Sequence, residues 1–428
     1  MTSRKNSLKS TNKRMTRPKL KPKPKPKPTH KPTGTTPEEV PSTTDRISKL
    51  PDHILHHILS FLPLQEAGRT SILSHRWIHV WVSMQGLKFY TDEFANCGPD
   101  KFISYVNAAL PYRSKQDLQV FKTFLFNDSP TNIAASTRWI THALKNDVRV
   151  LHIIIRLKNS GENVIVPRPM LTSRSLEELG LFSFPNVRII TPNVISLSQL
   201  KILSLQHMDV NSAFMEKIIS GCPRLENLNL HCCWLSCLGI SSRMLRNLVM
   251  EKCEIQNQRE NEFYICTPNL ENLHFNQKYV VCSPRVNVYY WLLKLDFRSL
   301  KLDIPNLKSL ILGGYWVARD PAAVTFFLQH SPMLEKLTLI CKEVYRKRRD
   351  VEPLNMSSDL CFQCKNLNSV DIIGNKSDKN IPHLTEVLKR NGIANLNLTL
   401  DSSSVFGDDC LKMLYDVWFW INYQSIYT

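Results

Sequence analysis

One spacing of apolar residues runs through most of this chain: an apolar residue, two variable ones, a second apolar residue, one variable one, then a third apolar residue. It occurs at Phe121/Phe124/Phe126, Val148/Leu151/Ile153, Leu176/Leu179/Leu181, Leu200/Leu203/Leu205 and Leu225/Leu228/Leu230. It continues at Leu245/Leu248/Met250, Leu270/Leu273/Phe275, Leu307/Leu310/Leu312, Leu334/Leu337/Leu339, Leu367/Val370/Ile372 and Ile393/Leu396/Leu398. The second and third residues of each unit are two apart, so they share one face of a short strand. The first enters from the preceding turn and faces the same core. One unit cannot enclose these side chains, but stacked units can, with their strands forming a parallel sheet on the concave side of an arc. Turn signals stand before several strands: Gly221-Cys222-Pro223, Thr267-Pro268, Ile304-Pro305 and Ser331-Pro332. The convex side is predicted to be helical or irregular, with helices at 134–144, 213–220 and 321–329. Residues 276–306 hold a competing match, Leu292/Leu295/Phe297, and residues 341–360 fit the spacing poorly.

Ahead of the array the period changes. Ile54, Ile58 and Leu62 form one row at helical spacing, and Leu55 and Leu59 form the adjacent row, giving a broad apolar stripe on one helix. Pro51 suits a first helical position with Ser48 as its cap, and Pro63 ends the helix. A second helix is predicted over 65–71, and a third carries Trp77 and Trp81, four apart. Three such short helices show more apolar surface than they can hide from one another, and they are too small to be stable alone. A partner's groove is the natural cover for the leading helix.

The stretch from Asp45 to Trp81, DRISKLPDHILHHILSFLPLQEAGRTSILSHRWIHVW, resembles the F-box of plant F-box/leucine-rich-repeat proteins. The resemblance rests on Leu50-Pro51, the Ile54/Leu55/Ile58/Leu59 stripe, Leu62-Pro63, Arg69-Thr70-Ser71, the closing Arg76-Trp77, and the repeats that follow. It implies an α/β chain: an N-terminal three-helix F-box, then a curved leucine-rich repeat solenoid with a parallel concave sheet. It also implies that Leu50, Pro51, Ile54, Leu55, Ile58, Leu59, Leu62, Pro63 and Trp77 bind a Skp-family adaptor. Through the adaptor they would reach a cullin scaffold, while the repeats hold a protein substrate. His75 stands where relatives usually place Lys or Gln. The organisation expected is a disordered basic tail at 1–44, the F-box at 45–85, a helical linker at 86–118, repeats at 119–400 and a C-terminal cap at 401–428.

Charge sharpens this outline. The net charge is +18, but residues 1–44 hold twelve Lys or Arg against two Glu, so most of it lies in a Lys-Pro tail. Proline and like-charge repulsion predict that this tail is extended. With the run Arg346-Lys347-Arg348-Arg349 it is a candidate import signal, which together with the lack of an apolar leader points to the nucleus and/or cytoplasm. No apolar run is long enough to span a bilayer. In the central units the residues two, four and six places after the first apolar one face away from the core. They supply Asn227, Asn247 and Asn272, then Asn229 and His274, then His231, Glu251 and Asn276. Apart from Lys336 this surface has almost no Lys or Arg, which disfavours nucleic acid and suits a protein read by hydrogen bonds. Alternatively, stacked asparagines bond along the sheet and hold the units in register.

The candidate chemistry is sparse. His53 and His57 are four apart, but Ile54 occupies the position where a zinc protease needs Glu. Cys361/Cys364 and Cys232/Cys233/Cys237 have no second half at zinc-finger spacing, so the cysteines read as small buried hydrophobes. No cofactor, metal or catalytic residue is expected. The competing function is a repeat scaffold that binds proteins without recruiting a ligase.

Overall fold

The computed structural model describes residues 46–47, 49–89, 99–113, 118–157, 163–190, 192–237, 239–255, 263–277, 300–313, 317, 321–341, 365–374, 380–393 and 395–400. The predicted tail at 1–44, Ser48, Leu292/Leu295/Phe297, Arg346–Arg349, Cys361/Cys364 and the predicted cap at 401–428 lie outside them. The chain forms two units, 1–50 and 51–428. In the first, the Leu50 N–H donates to the Ile47 carbonyl at 3.0 Å.

The second unit opens with three short helices, α1 (Asp52–Ser60), α2 (Leu64–Arg69) and α3 (His75–Val82), with a 3-10 turn at Thr70–Ile72. Pro51 precedes the first helical residue rather than occupying it. Its fixed φ and the acceptor at its carbonyl, bonded by Ile54 N and Leu55 N, start the helix without a side-chain cap. Ser74 caps α3 by accepting from the Trp77 N–H. Arg76 on α3 reaches Asp52 at the start of α1 with Nη2 at 2.6 Å. That hydrogen bond holds the Asp52 carboxyl below its usual range.

Beyond the trio runs a 14-stranded sheet whose main path contains β1 (Gly86–Lys88), β2 (Val120–Asn127), β3 (Val150–Leu157), β5 (Glu178–Ile189), β6 (Ile202–Asn211), β7 (Asn227–His231) and β10 (Asn247–Ile255). It continues through β12 (Asn272–Gln277), β14 (Ser309–Gly313), β15 (Lys336–Cys341), β16 (Ser369–Gly374) and β17 (Leu396–Leu400), while β4 (Asn163–Val164) pairs with β5 and β8 (Trp234–Ser236) with β6 and β10 beside the path. Every pairing on this path is parallel. The second apolar positions form one cross-strand row from Leu151 through Leu179, Leu203, Leu228, Leu248, Leu273, Leu310 and Leu337 to Val370 and Leu396. The third positions form a parallel row. Ten of the eleven predicted units therefore sit in the predicted register.

The first unit does not. Phe121 pairs with Leu151 and Thr123 with Ile153, so the unit is Leu118/Phe121/Thr123, three residues earlier than the spacing suggested. Phe121, Phe124 and Phe126 mimic the pattern, but Phe124 and Phe126 instead meet Phe102 of α4 (Pro99–Ala109), at ring distances of 5.1 and 5.7 Å. The predicted helical linker also opens with a strand: β1 pairs with Val120–Lys122.

The described returning segments include irregular chain at 192–200 and the single turn α6 (Arg168–Leu171), besides longer helices and a second sheet. Helices α5 (Pro130–Lys145), α7 (Ser212–Gly221) and α8 (Pro321–Gln329) contain the three predicted segments. Between α7 and α8 the predicted helical or irregular return is instead a second parallel sheet, β9 (Gly239–Ser241), β11 (Phe263–Cys266) and β13 (Leu300–Asp303). Phe263, Ile265, Ile240 and Leu300 are all buried there. The alternation Phe263/Ile265 has the period of a strand, which overrides any helical reading. The turns before the strands behave as expected: Leu225, Leu270, Leu307 and Leu334 each donate an N–H to the carbonyl three residues back. Among the described residues Cys222, Cys233, Cys237, Cys253 and Cys341 are buried, with Cys232 and Cys266 half-buried. Burial pushes the Cys222 thiol up to about 12, as befits a packed hydrophobe.

A further regularity lies one place after the first apolar residue in eight successive units. Arg149, Glu177, Lys201, Glu226, Arg246, Glu271, Lys308 and Glu335 lie on successive units, joined by backbone bonds of each N–H to the preceding carbonyl, and their charges alternate without exception. Ion pairs link Lys201 with Glu177 at 2.9 Å and Arg246 with Glu271 at 2.6 Å.

Candidate functional site

The helical trio carries the first candidate surface. Leu55, Leu59 and Trp77 form its interior, with Leu55 and Leu59 fully covered. In the chain by itself the trio covers these three side chains, so they lie behind its exposed apolar surface rather than on it. Leu50 belongs to the other unit. Pro51, Ile54, Ile58, Leu62 and Pro63 are exposed. So are four apolar side chains that the helical stripe did not include: Phe61, Ile72, Leu73 and Ile78, of which Ile72 is 85% exposed. Ile72 and Leu73 belong to the turn between helices, where no periodicity marks them. Only their place between two short helices could have singled them out.

The second surface is the sheet face turned away from the core. Its first row is a ladder: Asn272 Nδ2 donates to Asn247 Oδ1 at 2.5 Å, and Asn247 Nδ2 donates to Asn227 Oδ1. Asn229 donates to Ser204 at 3.1 Å. In the third row Gln206, His231, Glu251 and Asn276 are cross-strand neighbours. His231 Nδ1 stands 3.3 Å from Glu251 Oε2, and Lys252 Nζ is 3.5 Å from Oε1. Burial works against the Glu251 charge, yet the His231 bond and the Lys252 field outweigh it and hold its carboxyl at about 2. His274 is pulled down by burial, and its Nε2 is buried without a partner. Gln206 is 4% exposed with an unpartnered Oε1. Asn276 lies against Gly313, where a Cβ would come within 2.7 Å of its side-chain oxygen.

A third group on this face was not foreseen. His152 on β3 bonds Glu178 on β5 at 2.7 Å under the edge of the Phe182 ring. Gly180 makes room, since a Cβ there would meet both rings at under 3.0 Å. Burial lowers the His152 pKa, and the His152 bond lowers that of Glu178.

Comparison with known proteins fits this geometry. Residues 47–88, which span the helical trio, match the family model for the F-box domain. Residues 136–290 match the model described as FBD-associated F-box protein At5g56370, LRR repeats. The chain fits the pattern of a plant F-box/leucine-rich-repeat protein. It is 26% identical to the putative F-box/LRR-repeat protein At3g18150 of Arabidopsis thaliana, over 76% of this chain and 80% of that protein. It is 28% identical to the putative F-box/LRR-repeat protein At3g59160 of the same plant, over 70% of this chain and 74% of that one. With the F-box/FBD/LRR-repeat protein At4g26340 it shares 34% identity over 43% of each chain.

On the repeats, all seven residues singled out fall on three neighbouring strands, β7, β10 and β12. The structure divides them. Asn227, Asn247 and Asn272 bond one another along the sheet, as the alternative reading had it. His231 and His274 gather around Glu251. Gln206, at the same offset in its own unit as His231, was missed although the repeat spacing contains it. Among the described residues no group of three or more His, Cys, Asp or Glu side chains is placed to hold a metal ion. No helix among them is long and apolar enough to cross a membrane. His53 and His57 are exposed on α1, and His57 stacks edge-on against Phe61 at 4.8 Å.

Proposed function

We propose that this chain is the substrate-choosing subunit of a cullin-based ubiquitin ligase, binding a Skp-family adaptor through the F-box and a protein substrate through its repeats. On this reading it is a non-catalytic subunit of that complex and works in the nucleus and/or cytoplasm. The observation that carries it is the F-box surface. A trio whose own core is complete still presents Pro51, Ile54, Ile58, Phe61, Leu62, Pro63, Ile72, Leu73 and Ile78 to water. Apolar anchors of this kind dominate interfaces when a partner covers them.

The test is capture of the adaptor by the full chain. Phe61→Asp and Leu73→Asp place charge on the exposed apolar surface without touching the trio's interior, since these side chains are 74% and 66% exposed. Each is expected to abolish capture while leaving the thermal midpoint unchanged. Capture at wild-type level by both variants would sink the assignment. A reporter carrying residues 1–44 tests the nuclear part, and a reporter that stays wholly cytoplasmic would count against it.

A further inference from the structure

We propose that the middle of the sheet's open face takes an arginine side chain from an extended peptide, with Glu251 and His274 binding the guanidinium and Gln206 the neighbouring peptide N–H. This rests on the reading of the repeats as the substrate-holding part, and it names the chemistry they select. Three polar groups on β6, β10 and β12 share one face of the sheet and have capacity left over. The ladder of asparagines consumes its own donors and acceptors. Gln206 Oε1 and His274 Nε2 do not: both are buried with no partner. Burying such atoms is costly unless something bonds them, so their retention on a face rather than in the core points to a ligand. Glu251 keeps one oxygen for His231 and offers the other to Lys252, a solvated side chain that can turn away.

Each group in this set accepts or can accept a further hydrogen bond. The Gln206 oxygen and the Glu251 carboxylate are acceptors, and neutral His274 accepts at Nε2 when its proton is on Nδ1. A guanidinium brings only donors, in a planar fork that matches a carboxylate and one further acceptor. Gln206 and Glu251 are two strands apart, about 10 Å at the backbone, which about three residues of extended peptide span. The charge of the surroundings agrees. On the open-face positions of β5, β6, β7, β10, β12 and β14 the only charged side chains are Glu178 and Glu251, with no Lys or Arg. Glu178 is paired with a buried histidine whose charging is disfavoured, so that pair is also net negative. Asn276 and Gly313 close one end of the row and Phe182 the other.

The experiment presents the full chain with immobilised dodecapeptides whose flanks are randomised and whose central residue is fixed as arginine, citrulline or glutamate. Citrulline keeps the shape and loses the charge. Arginine peptides are expected to bind, and citrulline peptides to bind at least about tenfold more weakly. Glu251→Gln is expected to erase that preference, and Gln206→Leu to weaken binding several-fold. Adaptor capture by the same preparations reports folding. Citrulline binding as tightly as arginine, an unchanged preference in Glu251→Gln, or no binding of any arginine peptide by a chain that captures adaptor would each overturn the proposal and leave the ligase reading standing. Failed adaptor capture with the arginine preference intact would instead sink the ligase reading alone.

Discussion

The informative residues of this chain are those whose chemistry is at odds with their burial. Glu251 is held at about 2, well under its ordinary 4.5, although most of its side chain is covered. His152 and His274 lie below their ordinary 6.5 because burial disfavours the imidazolium. All three folded values lie below the free ones. The histidine contributions are therefore complete above about 6.5 and shrink as the pH falls. The Glu251 contribution is complete above about 4.5 and is lost between there and about 2. A shift of that size corresponds to a stabilisation of order 3 kcal/mol. Glu251→Gln should thus be less stable than wild type at pH 6, with the gap closing at pH 3. Urea midpoints at the two values measure it, and a gap that stays constant would show that Glu251 gains nothing from its charge. The sequence placed Glu251, His231 and His274 on one face because the repeat fixes which way each side chain points. It could not show which atoms are left unpaired, since that depends on neighbours about 20 to 25 residues away along the chain.

At the scale of elements, the F-box shows how far a helical stripe can be read. Periodicity found the apolar rows but not which row faces inward, because both rows are apolar and only packing against α3 tells them apart. Leu59 fills the interior and Ile58 beside it does not. Leu59→Ala should destabilise by about 2–5 kcal/mol, whereas Ile58→Ala, at a side chain left 38% exposed, should cost clearly less and weaken adaptor capture. Equal losses of stability in the two variants would mean that the rows are not divided as described. The strands were legible where leucines mark them, and misread where a run of phenylalanines offers two registers, as at Phe121–Phe126. The three-residue shift there is visible only through pairing with Leu151 and Ile153. The asparagine ladder makes a sharper statement about strands β7, β10 and β12. Asn247 both donates and accepts, so Asn247→Ala breaks two bonds and should cost about 1–2 kcal/mol. Asn272→Ala breaks only the one to Asn247 and should cost less. Chemical denaturation distinguishes them, and equal effects would show that the ladder does not carry the stability.

Across the second unit as a whole, the question is what keeps each repeat on its proper neighbour. The apolar rows alone do not answer it, because Leu228, Leu248 and Leu273 are interchangeable. The alternation from Arg149 to Glu335 does: skipping or inserting one unit would bring like charges together. This pattern sits in the sequence one place after the first apolar residue of those eight units, and it becomes meaningful only once those places are known to be adjacent. Glu271 is the best place to test it, since it faces Arg246 at 2.6 Å and Lys308 at 3.6 Å. Glu271→Gln removes both pairs, while Glu271→Lys also sets three cations in a row. These side chains are largely solvated, so the Lys variant should lie below the Gln variant by only about 1 kcal/mol at low salt. In about 1 M salt, where the screening length falls to about 3 Å, the two should converge. Equal stabilities at low salt would mean that the alternation does not act through charge. A difference that persists in high salt would mean that the lysine side chain fails to fit the rim rather than repelling its neighbours.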